Sequence, residues 1–279
     1  MSLQTIALPS GEEIPRLGQG TWEMGVRPEA RSAEVAALRL GLDLGLTLID
    51  TAEMYADGRS EEVVAEAISG CRTEVFLVSK VLPSNAGRRA TVRACEDSLR
   101  RLRTDRLDLY LLHWRGGTPL AETLEAFQAL QAAGKIRHWG VSNLDIEDMQ
   151  ELWSLSGGPA VATDQLLYNL SRRGIEADLL PWCRAQGLPV MAYSPVEQGR
   201  LLRRRELARI ARDLGATPAQ VALAWLLRQP GVVPIPKAAD ERHVRDNRAA
   251  LDLALPAEAM AALEAAFPAP TGPVPLEML

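Results

Sequence analysis

Seven short apolar runs in this chain each stop on a polar or ionisable side chain. They span residues 46–50, 75–80, 107–113, 139–143, 162–165, 189–194 and 232–237, and end on Asp50, Lys80, His113, Asn143, Gln165, Ser194 and Lys237. A strand that is apolar at successive positions is buried on both faces, as in a parallel sheet covered by helices, and a charge at its end marks the point where it leaves the core. In a closed ring of parallel strands all such ends meet on one face, where barrel enzymes carry their chemistry. With 17–22 as an additional first strand the count reaches eight. The length of 279 residues fits the roughly 250 of this fold. The fold class expected is therefore α/β, a (β/α)8 TIM barrel.

The stretches between the runs carry helix signals. Thr118-Pro119 offers an N-cap and a first-turn proline ahead of an apolar face formed by Leu120, Leu124, Phe127 and Leu130. Thr217-Pro218-Ala219-Gln220 reads as a capping box leading into Val221, Trp225 and Leu226. Gly41 and Gly45 are expected to close the first long helix. Residues 5–14 read as a β-hairpin turning at Pro9-Ser10-Gly11 and closing the bottom of the barrel. An irregular tail begins at about 268 and runs to 279. The whole of 1–279 reads as a single domain, since strand and helix alternate without a linker or repeat.

Composition narrows the function classes. A net charge of −5 argues against a general binder of phosphate backbones, so no nucleic-acid partner is expected. The one dense basic run, 200–209, reads first as a solvated helix face and second as a contact to a cofactor phosphate. Cys71, Cys95 and Cys183 are few, odd in number and far apart, with no metal-ligand spacing, and Cys95 falls in the apolar stripe Val92, Cys95, Leu99, Leu102. Neither an export signal nor an apolar run near the ~18 residues of a membrane span is visible. A cytoplasmic protein without a metal or membrane partner is the expectation, and nothing in the pattern demands an oligomer, so a monomer is expected.

Asp50, Lys80 and His113 end the second, third and fourth strands, and Tyr55 follows Asp50 by five residues. A lysine beside a carboxylate at a barrel mouth stays charged and is held in place. Its ammonium is expected to pull the phenol of Tyr55 down from about 10 toward neutrality, so that it can act as a general acid. A neutral histidine can orient the same substrate oxygen. This set can polarise and protonate a carbonyl, but it supplies no electrons. Taken singly, Asp50 could be a cap, Lys80 a half-exposed cation and His113 a core histidine.

Together with Asp50-Thr51-Ala52-Glu53-Met54-Tyr55, the segments Val78-Ser79-Lys80, Leu111-Leu112-His113, Gly140-Val141-Ser142-Asn143, Tyr193-Ser194-Pro195 and Ile235-Pro236-Lys237 resemble the aldo-keto reductase superfamily. The resemblance runs from about residue 14 to 268. Gln19-Gly20-Thr21-Trp22 and the Pro-Leu-Glu-Met-Leu ending are similar to the bacterial branch that includes methylglyoxal reductases. It implies that Tyr55 is the general acid, Lys80 tunes it, Asp50 holds Lys80 and His113 orients the carbonyl. It further implies that Ser142, Asn143 and Gln165 bind the nicotinamide carboxamide of a cofactor, that Tyr193 stacks under the ring, and that Ser194 belongs to the same cofactor site. Asp246 and Asn247 match positions that hold adenine, and Lys237 the position facing a 2′-phosphate, which points to NADPH. Ala238 lacks the hydroxyl usual there, and His243 stands where arginine is common, with Arg242 or Arg245 as substitutes. The segment 197–205 is short for the loop that covers the pyrophosphate.

The activity so implied is NADPH-dependent reduction of small aldehydes or ketones. Trp22 and Trp114 are expected to line the substrate pocket, with Met24 and Trp182 as further candidates. The short loop after His113 and the brief tail suggest an open pocket. Two other readings stand beside it: a class I aldolase with Lys80 as its Schiff base, and a cofactor-sensing regulatory subunit. Gly18-Gln19-Gly20 does not make a dinucleotide fingerprint, because Glu23 occupies the third glycine position.

Overall fold

The computed structural model describes residues 4–279. A two-stranded antiparallel hairpin, β1 (Thr5–Ala7) and β2 (Glu13–Pro15), pairs Ile6 with Ile14. Eight parallel strands follow in chain order: β3 (Gly18–Gly20), β4 (Leu48–Asp50), β5 (Phe76–Val81), β6 (Leu107–Leu112), β7 (Ile136–Ser142), β8 (Asp164–Leu167), β9 (Val190–Tyr193) and β10 (Val232–Pro234). Each pairs with the next. The ring closes where the Gly20 amide donates to the Pro236 carbonyl at 2.9 Å and Gly20 bridges Lys237 in parallel register. This is the expected (β/α)8 barrel.

Period-two alternation explains why the functional ends converge. Leu48, Val78, Leu109, Leu111, Met191, Val233 and Ile235 pack against one another inside the ring. Two residues further along a strand the side chain returns to the same face. From Leu48 this gives Asp50, from Val78 Lys80, from Leu111 His113, from Met191 Tyr193, and from Ile235 Lys237. An apolar layer thus supports a polar one above it. At the other end, Leu8 and Ile14 of the hairpin join the interior cluster, and Glu12 accepts from Arg137 at 2.6 Å, so the hairpin seals the bottom.

The outer layer comprises α1 (Arg31–Asp43), α2 (Arg59–Ala67), α3 (Arg88–Leu102), α4 (Leu120–Ala132), α5 (Ile146–Ser154), α6 (Leu179–Ala185), α7 (Arg205–Asp213), α8 (Pro218–Leu227), α9 (Glu241–Ala249) and α10 (Ala257–Ala266). Their apolar faces pack on the outside of the strands, Cys95 and Cys183 among them. The capping box at Thr217 and Gln220 is formed in both directions. Thr118 does not cap α4: Pro119 itself takes the cap position, at φ −55° and ψ 133°, and no side chain caps the helix start. Among the described residues, no helix is long and apolar enough to cross a membrane.

Gly41 does not close α1. It lies within the helix, and Gly45, at φ +87°, follows the helix end. The buried Gln19 amide rests on Gly41 and donates to the carbonyls of Leu38 at 3.3 Å and Leu46 at 2.9 Å. A methyl group at Gly41 would overlap that amide. Helix propensity alone favours alanine over glycine by about 1 kcal/mol. Gly41→Ala is nevertheless expected to destabilise by about 1–3 kcal/mol, the usual range for overpacking. Urea denaturation checks the sign, and a more stable variant would show that Gln19 moves freely.

Candidate active site

The Lys80 ammonium is fully buried and spends its donors on three acceptors. It donates to Asp50 Oδ1 at 2.7 Å, the Thr51 carbonyl at 2.8 Å and the Tyr55 hydroxyl at 3.2 Å. Burial pushes the Lys80 pKa down, but attraction to Asp50 and Tyr55 and the hydrogen bonds to both outweigh it, so the net direction is up. The ammonium form is therefore the stable one. Asp50 Oδ2 accepts from Gln165 Nε2 at 2.8 Å, so both carboxylate oxygens are engaged.

Tyr55 departs from expectation. Burial raises its phenol pKa; the adjacent Lys80 lowers it, and Asp50 raises it again, leaving it above the ordinary value. The ammonium cannot outweigh the loss of water, because Asp50 cancels part of its field. His113 is pushed down to about 2 by burial and then by Lys80, so the imidazole is neutral. Its Nδ1 is buried without a partner among the described residues. The Trp22 and Tyr55 rings meet edge-on at 5.0 Å between centroids and Tyr55 and His113 edge-on at 5.7 Å, while His113 and Trp114 are tilted at 5.0 Å. Trp22 is 44% exposed and forms the rim. Met24 instead is buried in the helix–sheet core, and Trp182 packs on Trp153 of α5 at 5.4 Å in the outer layer. An amphipathic ring on an outer helix satisfies the same apolar pattern as one in a pocket, which is why sequence did not separate them.

Tyr55 reaches Lys80 from an irregular loop. Ala56, Asp57 and Gly58 all adopt left-handed backbone, at φ +50°, +54° and +85°, before α2 begins. For a residue with a side chain this conformation costs roughly 1–2 kcal/mol. Surrounding contacts must hold it.

The remaining candidates gather at the tops of β7, β8 and β9. Ser142 Oγ donates to the Gln165 carbonyl at 2.8 Å. Asn143, at φ +57°, donates to the His113 carbonyl at 3.1 Å and accepts from the Tyr193 hydroxyl at 2.9 Å. Two amides, a hydroxyl and an aromatic face within one bond of each other suit a planar ring carrying a carboxamide. Ser194, at φ +47°, has its carbonyl held by Asn169 Nδ2 at 2.9 Å.

At the far end of the ring Lys237 is exposed, Asp246 accepts from Gln220 at 3.2 Å, and Asn247 is buried. Asp240 caps α9 by accepting from the His243 amide at 3.0 Å. An acid thus stands among the expected phosphate ligands, its charge directed to the helix end and the His243 ring. An aspartate at the residue before a helix start, Asp240, was the available signal.

Two further features escaped sequence reasoning. Glu197 is buried in the loop after β9 and accepts from Asn169 at 2.8 Å, Arg172 at 3.1 Å and Arg200 at 3.1 Å. Arg172 also pairs with Glu277 at 2.5 Å, and the Leu279 amide lies 3.4 Å from the Tyr193 hydroxyl. The tail is therefore packed onto the strand tops, and the site is less open than its length suggested.

Residues 16–267 match the model of the aldo/keto reductase family. Over the full length of both chains, the sequence is 54% identical to methylglyoxal reductase YeaE of Escherichia coli strain K12. It is 34% identical to the glyoxal reductase of Bacillus subtilis, covering 94% of this chain and 92% of that one. A crystal structure of an aldo/keto reductase from Klebsiella pneumoniae in complex with NADP and acetate superposes with a TM-score of 0.97 at 54% identity, covering all of both chains. The chain belongs to the aldo/keto reductase family.

Proposed function

We propose that this protein reduces small reactive aldehydes or ketones of the methylglyoxal type to alcohols with NADPH, and that Tyr55 is the general acid. One observation carries the reading: the Lys80 ammonium lies 3.2 Å from the Tyr55 hydroxyl and is anchored on its other side by Asp50. Bound NADPH supplies the hydride that the carbonyl carbon receives. As negative charge develops on the carbonyl oxygen, the Tyr55 hydroxyl delivers its proton there. The nearby ammonium stabilises the phenolate left behind, an effect that strengthens once substrate and cofactor exclude water. His113, being neutral, donates a hydrogen bond that orients the oxygen but does not protonate it. Ser142, Asn143 and Gln165 hold the ring amide, Tyr193 and Ser194 complete that half-site, and Lys237 with Asp246 and Asn247 takes the adenosine end.

The cofactor assignment is supported by the structural relative in complex with NADP, and the substrate class by the methylglyoxal and glyoxal reductases. A Schiff-base role for Lys80 is disfavoured by its hydrogen bonds. An amine must lose its proton to attack a carbonyl, whereas this one sits as an ammonium on Asp50, the Thr51 carbonyl and Tyr55.

Purified protein should oxidise NADPH on addition of methylglyoxal, and Tyr55→Phe should lower kcat by about 10²–10⁴-fold, the usual contribution of a general acid. NADPH binding should persist in that variant. Borohydride trapping of substrate on Lys80 without nicotinamide would overturn the reading.

Lys237→Ala should weaken NADPH more than NADH, since only the former carries the 2′-phosphate. Fluorescence titration of both cofactors decides it; equal losses would move the role to Arg242 or Arg245.

His113 also carries a pH signature. An unfolded chain takes up a proton on this histidine below about pH 6.5, which the folded protein refuses down to about pH 2. Stability is then lost as pH falls through that window, by up to about 1.4 kcal/mol per unit from this group. His113→Gln should show a shallower decline in unfolding free energy between pH 6.5 and 5 than the parent. Parallel slopes would mean that His113 protonates in the folded state.

A further inference from the structure

We infer that Glu61 and Arg101, which touch neither the proposed substrate nor the cofactor site, are positioning residues that hold Tyr55 against Lys80. The inference rests on the reading of Tyr55 as the acid. Tyr55 is followed by the left-handed run Ala56-Asp57-Gly58, and its placement depends on what fixes that run. Gly58 packs under Arg101: a β-carbon on Gly58 would lie 2.5 Å from Arg101 Cδ and 2.6 Å from Nε. The Arg101 stem therefore occupies the space that any side chain at position 58 would need, and the turn fits beneath it.

Arg101 is itself directed. Its Nε donates to Glu61 Oε2 at 2.6 Å, and its Nη2 donates to Ser98 Oγ at 3.2 Å. Glu61 lies in the first turn of α2 and is fully buried; its other oxygen accepts from Ser79 Oγ at 2.6 Å. Ser79 precedes Lys80 on β5 and points to the opposite face of that strand. A chain of contacts thus runs from the strand bearing Lys80, through Ser79, Glu61 and Arg101, to the turn bearing Tyr55. It fixes from behind the two elements whose side chains meet in front. In the same turn of α2, Ser60 Oγ donates to the Thr21 carbonyl at 2.8 Å, tying in the loop that places Trp22 on Tyr55.

An ion pair with a fully buried carboxylate and a guanidinium that is 27% exposed is a poor choice if stability alone is wanted, since apolar residues of equal volume often do as well or better. Its distinguishing property is direction. The fork of an arginine held on a carboxylate has a defined orientation, which a leucine or methionine in its place lacks.

The test compares Arg101→Met, Arg101→Lys and Glu61→Gln with the parent and with Tyr55→Phe, using methylglyoxal and NADPH. Arg101→Met and Glu61→Gln are each expected to lower kcat at least tenfold while the NADPH dissociation constant stays within about twofold. Arg101→Lys should recover part of the loss, because it keeps the stem and the charge but not the fork. Should Arg101→Met fail to fold, Glu61→Gln, which preserves volume, carries the same expectation. Folded variants with kcat within twofold of the parent, however much their melting temperature falls, would overturn the inference if Tyr55→Phe is inactive. An active Tyr55→Phe would instead overturn the assignment of the acid.

Discussion

A lysine ammonium buried at the centre of a barrel mouth demands more of its neighbours than any other group in this molecule. Unpaired, it would lose its proton or unfold its surroundings. Lys80 escapes both outcomes because Asp50, the Thr51 carbonyl and Tyr55 converge on it. Asp50 in turn is fixed from its second oxygen by Gln165. Lys80 takes its partners from the neighbouring β4 and the loop after it, and the Asp50 carboxylate is engaged on both oxygens only when Gln165 of β8 stands across the mouth from it. Fold and site therefore depend on each other.

The shared carboxylate also joins two functions. Gln165 belongs by position to the group proposed to hold the cofactor amide, yet its nitrogen is committed to Asp50. A ligand on Gln165 bears on the same oxygen pair that anchors Lys80. Changes at Gln165 and at Lys80 are therefore not independent, and their energetic effects should not add.

What the sequence revealed follows from periodicity. Alternation places Asp50, Lys80, His113, Tyr193 and Lys237 above an apolar layer, and that much is visible in the runs themselves. The hairpin, the capping box and the barrel class come from equally local signals. Features that depend on three-dimensional neighbours were not visible. Gly41 resembles a helix terminator until Gln19 is seen lying on it. Met24 and Trp182 have the size of pocket residues, and only packing assigns them to core and outer layer. The rise of the Tyr55 pKa reflects a competition between dehydration and two opposed charges, whose balance no spacing encodes. Asp164 and Gln165 read as one polar strand end, but the pleat sends them to opposite faces: Gln165 reaches Asp50, while the Asp164 carboxyl is buried and pushed well above the usual carboxylate range. Arg101 and Glu61 are forty positions apart in the chain and carry no motif.

The seam between Gly20 and Lys237 has a consequence for how the protein comes into being. The first barrel strand leaves the ribosome early, but its partner across the seam is made only after most of the chain. Until then β3 has an unpaired edge, and pairing of such distant segments is slow because loop closure precedes any reward. The nascent chain thus passes through a period with an open, association-prone side. Lys237, which ends this period, is itself the residue proposed to face the cofactor's 2′-phosphate. A dinucleotide bound there would favour the shut ring over the open one by mass action, making cellular cofactor supply a factor in how much barrel is completed as well as in how fast it turns over.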